Sequence, residues 1–180
     1  HASFRYPLWD HRGEVWPAVW DAVDRGVVLD IGHGARGFSW RTMEHALNKG
    51  LRPSTISTDL HAGNVDGPTY DMPTTMSKML ALGLSLDEVV EMSTSIPAKA
   101  LRQQDFIGTL KPDAQADVVV SDLLEGEYKY LDVLHETRIG KQRIVPHTVI
   151  FGGQMYDGPR YEPIDMSHQH DAPPGFIEGT

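Results

Sequence analysis

Two residues that can exchange protons come directly after short strand-like runs of this sequence. Asp59 follows the β-branched run 55–58, and His33 follows the apolar run 27–31. Side chains at the C-terminal ends of neighbouring parallel strands lie at one edge of a sheet, so we expect these two to share a pocket. A carboxylate held there can accept a proton and return it to a leaving group. The alternative interpretation of Asp59 is a turn or helix-capping aspartate.

Glycines flank His33 and allow a ligand to come close to the backbone. We therefore interpret His33 and Gly34 as substrate-binding residues, and the alternative for His33 is a polar turn residue. His61 follows Asp59 on the same loop. It is predicted either to support the same site, as a third substrate-binding residue, or to be solvated.

The elements that position these residues alternate between helix and strand. The pattern predicts helices over 14–25, 39–49, 74–82, 85–95 and 97–103, and strands over 27–31 and 55–58. Ser85 and Glu88 have the spacing of a capping box at the start of one helix. This alternation is typical of βαβ units, so we predict an α/β fold with a parallel sheet.

The pattern changes after residue 104. Short β segments are predicted at 107–110, 118–120, 143–144 and 148–151, with turns at 111–113, 125–126 and 152–153. They favour a small antiparallel module over 105–156. The segment 157–180 is rich in Pro, Asp, His and Gly and has little periodicity, which predicts an extended or disordered tail. We accordingly divide the chain into 1–104, 105–156 and 157–180.

Two other sequence features could be mistaken for parts of a site. Lys78 lies in a helical pattern, and we interpret it as a surface or structural lysine. His168 and His170 form a His-x-His pair, but they lie in the predicted tail, which does not hold ligands rigidly. We therefore exclude both features from the candidate site.

Composition narrows the possible partners. The chain has 180 residues, of which 16 are basic and 25 acidic, giving a net charge of -9. No basic stripe is present, which argues against nucleic acid as a partner. No apolar run reaches the roughly 18 residues that a membrane span needs. There are no cysteines, which excludes a thiolate metal site and is compatible with the reducing cytoplasm, where we expect this protein.

Several short motifs occur in a fixed order along the chain. They are Asp30-Ile31-Gly32-His33-Gly34, Ser57-Thr58-Asp59-Leu60-His61, Met76-Ser77-Lys78-Met79-Leu80, Ile96-Pro97-Ala98, and Gly108-Thr109-Leu110 followed by Ala116-Asp117-Val118-Val119-Val120. Together they resemble the amidohydrolase superfamily, and are most similar to its dihydroorotase-like and deacetylase-like branch of metal-dependent hydrolases. The resemblance extends over roughly residues 14–155.

The resemblance implies the last part of a (β/α)₈ TIM-type barrel followed by part of a small β-sandwich domain. On this basis 27–31 and 55–58 resemble barrel strands seven and eight. It also implies one or two divalent metal ions, usually zinc, with Asp59 both binding metal and acting as the catalytic base. The other family ligands lie on earlier strands, so most are expected outside this segment. His1 lies near the expected strand-six ligand.

The implied activity is hydrolysis of amide, cyclic amide or ester bonds in a small-molecule substrate. We expect this segment alone to be inactive, because most ligands are absent from it. The alternative is a degenerate, non-catalytic homologue that serves as a structural or partner subunit. The loop 35–38 departs from the family pattern, so we expect a different substrate pocket there. Open sheet edges predict a homo-oligomer.

Overall fold

The computed structural model describes residues 4–157, which form five helices and two β-sheets. In chain order the elements are α1 (Pro17–Asp24), β1 (Asp30–Gly32), α2 (Trp40–Asn48), β2 (Thr55–Ser57), α3 (Met72–Ala81), α4 (Leu86–Ser93), α5 (Ser95–Ala100), β3 (Val118–Leu131), β4 (Thr137–Phe151) and β5 (Gln154–Asp157). The predicted tail beyond Asp157, the His168–His170 pair and His1 lie outside the described residues. No helix within 4–157 is both long and apolar enough to cross a bilayer.

The parallel pairing predicted for the first two strands is confirmed. β1 and β2 pair in register, with Ile31 opposite Ile56, and α2 forms the crossover between them. The first strand is shorter than predicted, since it begins at Asp30. Val27 and Val28 lie before it and are 48% and 44% exposed. The Val27 amide donates instead to the carbonyl of Ala22, which closes the end of α1. The paired sheet therefore uses only the end of the first predicted strand, whereas the second strand begins at Thr55 as predicted.

The second sheet is an antiparallel hairpin of β3 and β4 with β5 at one edge. The turn predicted at 125–126 is wrong, because β3 continues through these residues with a register shift between Glu125 and Tyr128. An irregular pair of residues can be absorbed as a β-bulge without ending a strand. The strand predicted at 107–110 is also absent. Gly108 has a φ of +67°, and a Cβ there would lie 2.5 Å from the Thr94 carbonyl oxygen, so this segment packs against α5.

One hydrophobic core joins the helices to both sheets. Trp40, Met79, Val89 and Tyr130 are at most 1% exposed and belong to the same buried cluster. Tyr130 comes from β3, so the hairpin packs on the same core as α2, α3 and α4. Burying a large aromatic side chain contributes about 1.5–3 kcal/mol or more. Packing of the hairpin therefore stabilises the α/β part of the chain.

Side chains accept free amides at the starts of α2, α3 and α4. The predicted capping box is confirmed, since Ser85 and Glu88 each bond the other's backbone N–H. At α2 the Ser39 side chain makes no capping bond, and the residue that caps this helix is distant in sequence. The Trp40 amide donates instead to Asp132 Oδ2 at 2.9 Å, and Asp132 Oδ1 accepts the amides of Leu134 and Glu136. This buried carboxylate thus ties the β3–β4 turn to α2.

Replacing Asp132 should separate the hairpin from α2. Asp132→Ala leaves three amides without their acceptor, one of them buried and two partly buried, so we expect a loss of about 3 kcal/mol in the free energy of unfolding. Asp132→Asn keeps one carbonyl oxygen and should lose less. Asp105→Ala, at an exposed position, is the control. Urea denaturation measures all three, and equal stability of Asp132→Ala and the control would contradict this role.

Candidate active site

Backbone pairing continues for two residues beyond the parallel strands. The amide of His33 donates to the Ser57 carbonyl at 3.0 Å, and the amide of Gly34 donates to the Thr58 carbonyl at 2.8 Å. These bonds keep the residues after β1 in register with those after β2. They place Gly34 beside Asp59, the carboxylate that the sequence singled out.

The Asp59 carboxylate lies directly against the backbone of Gly34. A Cβ on Gly34 would come within 2.8 Å of Asp59 Oδ2, so the carboxylate occupies space that only glycine leaves open. Gly34 has a φ of +48° and Asp59 a φ of +47°, the left-handed region that aspartate tolerates better than most residues. The Asp59 side chain is exposed, so its oxygens are accessible from the strand ends. Proton exchange and cation binding both need such access.

The loop after Asp59 is held by a buried asparagine. Asn64 is 0% exposed; its Nδ2 donates to the Asp59 carbonyl at 3.0 Å and its Oδ1 accepts the His61 amide at 2.7 Å. Asn64 therefore closes the loop 59–64 from within. Sequence reasoning missed it, although asparagine in a Gly/Asp-rich loop often bonds the backbone nearby.

His61 lies on the surface of this loop. Its ring is exposed, and Nδ1 accepts the amide of Gly63 at 3.0 Å. The neutral ring therefore carries its proton on Nε2, which has no other partner among residues 4–157. His61 thus presents a hydrogen-bond donor at the loop surface, and its predicted contact with substrate stays a prediction.

His33 is buried, unlike the exposed Asp59. Its Nε2 is 2.8 Å from Lys78 Nζ, and its Nδ1 is 2.9 Å from the Gly34 carbonyl oxygen. The ring stacks on Phe38 with 5.0 Å between the ring centroids. Burial and the neighbouring Lys78 lower the pKa of His33 to about 3, so the ring is neutral near pH 7. The expectation that His33 and Asp59 share one pocket does not hold, since the imidazole points into the interior.

Lys78 is a second buried polar residue, and it contacts the ring of His33. Its side chain is 0% exposed, so the interpretation of Lys78 as a surface lysine is wrong. The other interpretation, a lysine with a structural role, remains. The face of α3 that carries it packs against the strand ends, which helical spacing alone does not reveal. Nζ also donates to the Pro68 carbonyl. Burial lowers the pKa of Lys78 to about 7, although Asp132 and Asp71 act in the opposite direction.

A third residue completes the cluster that we call the Gly34 clamp, which consists of Lys78, His33 and Thr69. The Thr69 hydroxyl is buried and donates to the Gly34 carbonyl at 2.8 Å, and it lies 3.0 Å from His33 Nδ1. The backbone of Gly34 is therefore bonded on both sides, through its N–H to Thr58 and through its C=O to this clamp. Sequence reasoning missed Thr69, since nothing local distinguishes it.

The described residues do not assemble a complete metal site. No group of three or more His, Cys, Asp or Glu side chains in 4–157 is arranged to hold an ion. Asp59 fits a single carboxylate ligand, because its exposed carboxylate rests against Gly34 with no Cβ between them. Any metal bound here would need further ligands from outside these residues.

Stability should depend on pH through Lys78. Its pKa is lowered from 10.5 to about 7 in the folded state, so between these values the unfolded chain binds the additional proton and stability rises with pH. The wild type should therefore gain stability relative to Lys78→Met between pH 7 and 10, measured by urea denaturation. Lys99→Met, at an exposed position on α5, should follow the wild-type curve. Parallel wild-type and Lys78→Met curves would contradict the lowered pKa.

Known proteins with a similar sequence or fold identify the family of this chain. The sequence is 37% identical over 140 residues to a deacetylase of Enterococcus faecalis, which covers 77% of this chain and 38% of that protein. The fold is similar to the crystal structure of an adenine deaminase, with a TM-score of 0.77 and 36% identity over 81% of this chain and 39% of the other. It is also similar to a dihydroorotase, with a TM-score of 0.68 and 32% identity over 82% and 39%.

The chain spans 38% or 39% of the length of each of these three proteins. The profile of the Amidohydrolase family matches residues 38–156, which include α2, β2, the loop that follows Asp59 and the whole β3–β4 hairpin. The chain therefore belongs to the amidohydrolase family.

Proposed function

We propose that this chain is part of a metal-dependent hydrolase that cleaves carbon–nitrogen bonds, either amide or cyclic amide, in a small-molecule substrate. Ester substrates are compatible with the same chemistry. Relatives named deacetylase, adenine deaminase and dihydroorotase support hydrolysis at such bonds. Membership of the amidohydrolase family supports a divalent metal, with zinc as the first ion to test.

The observation that carries this proposal is the position of Asp59. Its exposed carboxylate follows the second parallel strand and rests on a glycine that the strand register brings beside it. Active sites of α/β barrels lie at the C-terminal ends of their strands, which is where this carboxylate is found. Asp59 would supply one metal ligand, and the remaining ligands would come from outside residues 4–157.

The chemistry requires a base that can both receive and return a proton. Asp59 would help to hold a divalent ion, which would supply Lewis acidity and lower the pKa of a bound water to about 7. The Asp59 carboxylate would orient the attacking water, accept its proton and donate that proton to the leaving nitrogen. His61 would donate from Nε2 to a polar group of the substrate. The absence of a Cβ on Gly34 would leave room for the carboxylate, and the hydrogen bonds of both polar backbone groups of Gly34 would hold that residue in place.

We infer the same partial architecture for the fold. β1 and β2 would be the last two strands of a (β/α)₈ barrel, and 105–156 would be part of a small β-sandwich. The two structural similarities support this, since each extends over more than four-fifths of this chain.

A second candidate function is a non-catalytic homologue that completes a partner's structure. The observation favouring it is the absence of a three-ligand group within 4–157. The sequence that encodes the earlier barrel strands distinguishes the two. A His-x-His pair after an early strand favours the enzyme.

Replacing Asp59 in the intact protein tests the proposal. Asp59→Asn cannot accept the proton and is a poorer ligand, so we expect kcat/KM to fall by at least about 100-fold and the bound metal to be reduced. Asp66→Asn makes the same charge change at an exposed position in the following loop and should behave as wild type. Assays use N-acyl and cyclic amide substrates, with metal content measured by atomic emission. Wild-type turnover and metal content in Asp59→Asn would refute the assignment.

Replacing Gly34 tests the fit between the carboxylate and the backbone. The Cβ of Gly34→Ala would come 2.8 Å from Asp59 Oδ2, so the carboxylate must move. We expect metal affinity to fall by about tenfold, as for other changes to groups that orient a ligand. Gly26→Ala also places a side chain at a positive φ, of +84°, but meets nothing within 4 Å. Chelator competition should show unchanged affinity for this control, and a similar result for Gly34→Ala would contradict the fit.

A further inference from the structure

We propose that Lys78 is a positioning residue for Asp59, acting through the His33 ring and the backbone of Gly34. This inference rests on the proposed function of Asp59. It assigns a role to a lysine that the chemistry itself does not need. Each link is a contact between described residues.

The first link is the burial of Lys78. Its amino group is enclosed, with Nζ 2.8 Å from His33 Nε2 and a second bond to the Pro68 carbonyl. Enclosing a group that water would solvate strongly is costly, and an apolar side chain of similar length would avoid that cost. Such an arrangement is more common at functional sites than in ordinary cores.

The second link is the position of the proton on His33. The Gly34 carbonyl oxygen beside Nδ1 can only accept, so the ring proton is placed on Nδ1, and Nε2 is left to accept an N–H from Lys78 Nζ. The Nδ1–H then donates to the Gly34 carbonyl, which also accepts the Thr69 hydroxyl. With the proton on Nε2 instead, the Thr69 hydroxyl would turn to donate to Nδ1. The Gly34 carbonyl would then lose both donors.

The third link runs from Gly34 to Asp59. The Gly34 amide holds the Thr58 carbonyl at 2.8 Å, and the carboxylate of Asp59 rests in the space where Gly34 lacks a Cβ. A change in the backbone torsions of Gly34 would therefore move both the backbone preceding Asp59 and the surface beneath its carboxylate. Small displacements of a metal ligand or base reduce rate without removing the binding of substrate. Lys78 would thus influence kcat and metal affinity more than KM.

The test compares variants of the intact protein. Lys78→Met removes the donor at similar length, whereas Lys78→Gln supplies a neutral N–H donor. We expect Lys78→Met to lower kcat and metal affinity by about tenfold with little change in KM, and Lys78→Gln to recover most of both. Lys99→Met controls for loss of a surface lysine, and Met43→Ala controls for loss of stability, since Met43 is a buried residue of α2 that is not part of the Gly34 clamp.

A spectroscopic measurement reports the second link directly. In protein with ¹⁵N-labelled histidine, the ring nitrogens of His33 should show the proton on Nδ1 in the wild type and in Lys78→Gln. In Lys78→Met the proton should move towards Nε2. His33→Gln assigns the signals.

Three results would overturn the inference. One is a wild-type His33 ring protonated on Nε2, which decides the matter even if Lys78→Met does not fold. Another is a Lys78→Met protein that loses stability like Met43→Ala but keeps wild-type kcat, metal affinity and ring protonation. The third is a Lys78→Gln protein as impaired as Lys78→Met. By contrast, an Asp59→Asn protein with wild-type activity and metal content would refute the proposed function of Asp59 itself.

Discussion

The parallel register of β1 and β2 is the constraint on which the candidate site depends. Because pairing continues past the strands, the amides of His33 and Gly34 reach the carbonyls of Ser57 and Thr58. That extension brings Gly34, which has no Cβ, against the carboxylate of Asp59. A slip of one residue in a parallel pair would turn each side chain to the opposite face. The carboxylate would then have no such surface to rest on.

Buried polar groups connect this site to the antiparallel hairpin. Asp132 caps α2 from the β3–β4 turn, and its negative charge also favours the charged form of Lys78. The backbone of Ile144, in β4, donates to the Ser77 hydroxyl on α3, one residue before Lys78. All the buried side-chain nitrogen and oxygen atoms within 4–157 have hydrogen-bond partners. The hairpin therefore supports the helix that carries the buried lysine as well as the hydrophobic core.

Local features could be predicted from the sequence, and features that depend on distant packing could not. Asp59 at the end of a β-branched run and the capping box at Ser85 were both evident from neighbouring residues, because strand ends and helix starts have local signals. The α2 cap could not be found, since Asp132 lies 92 residues away from Trp40. Helical spacing placed Lys78 on α3 but did not reveal which face would be covered. The family resemblance, which depended on the order of several motifs, is confirmed by the match of the Amidohydrolase family to residues 38–156.

The central claim is that Asp59 binds a metal ion at the ends of the two parallel strands. Anomalous X-ray diffraction from crystals of the intact protein, collected on both sides of the zinc absorption edge, locates such an ion directly. The account predicts an anomalous peak about 2.0–2.2 Å from a carboxylate oxygen of Asp59, with Gly34 beneath that carboxylate. A zinc peak bound by other residues, with the Asp59 carboxylate turned to solvent, would contradict it.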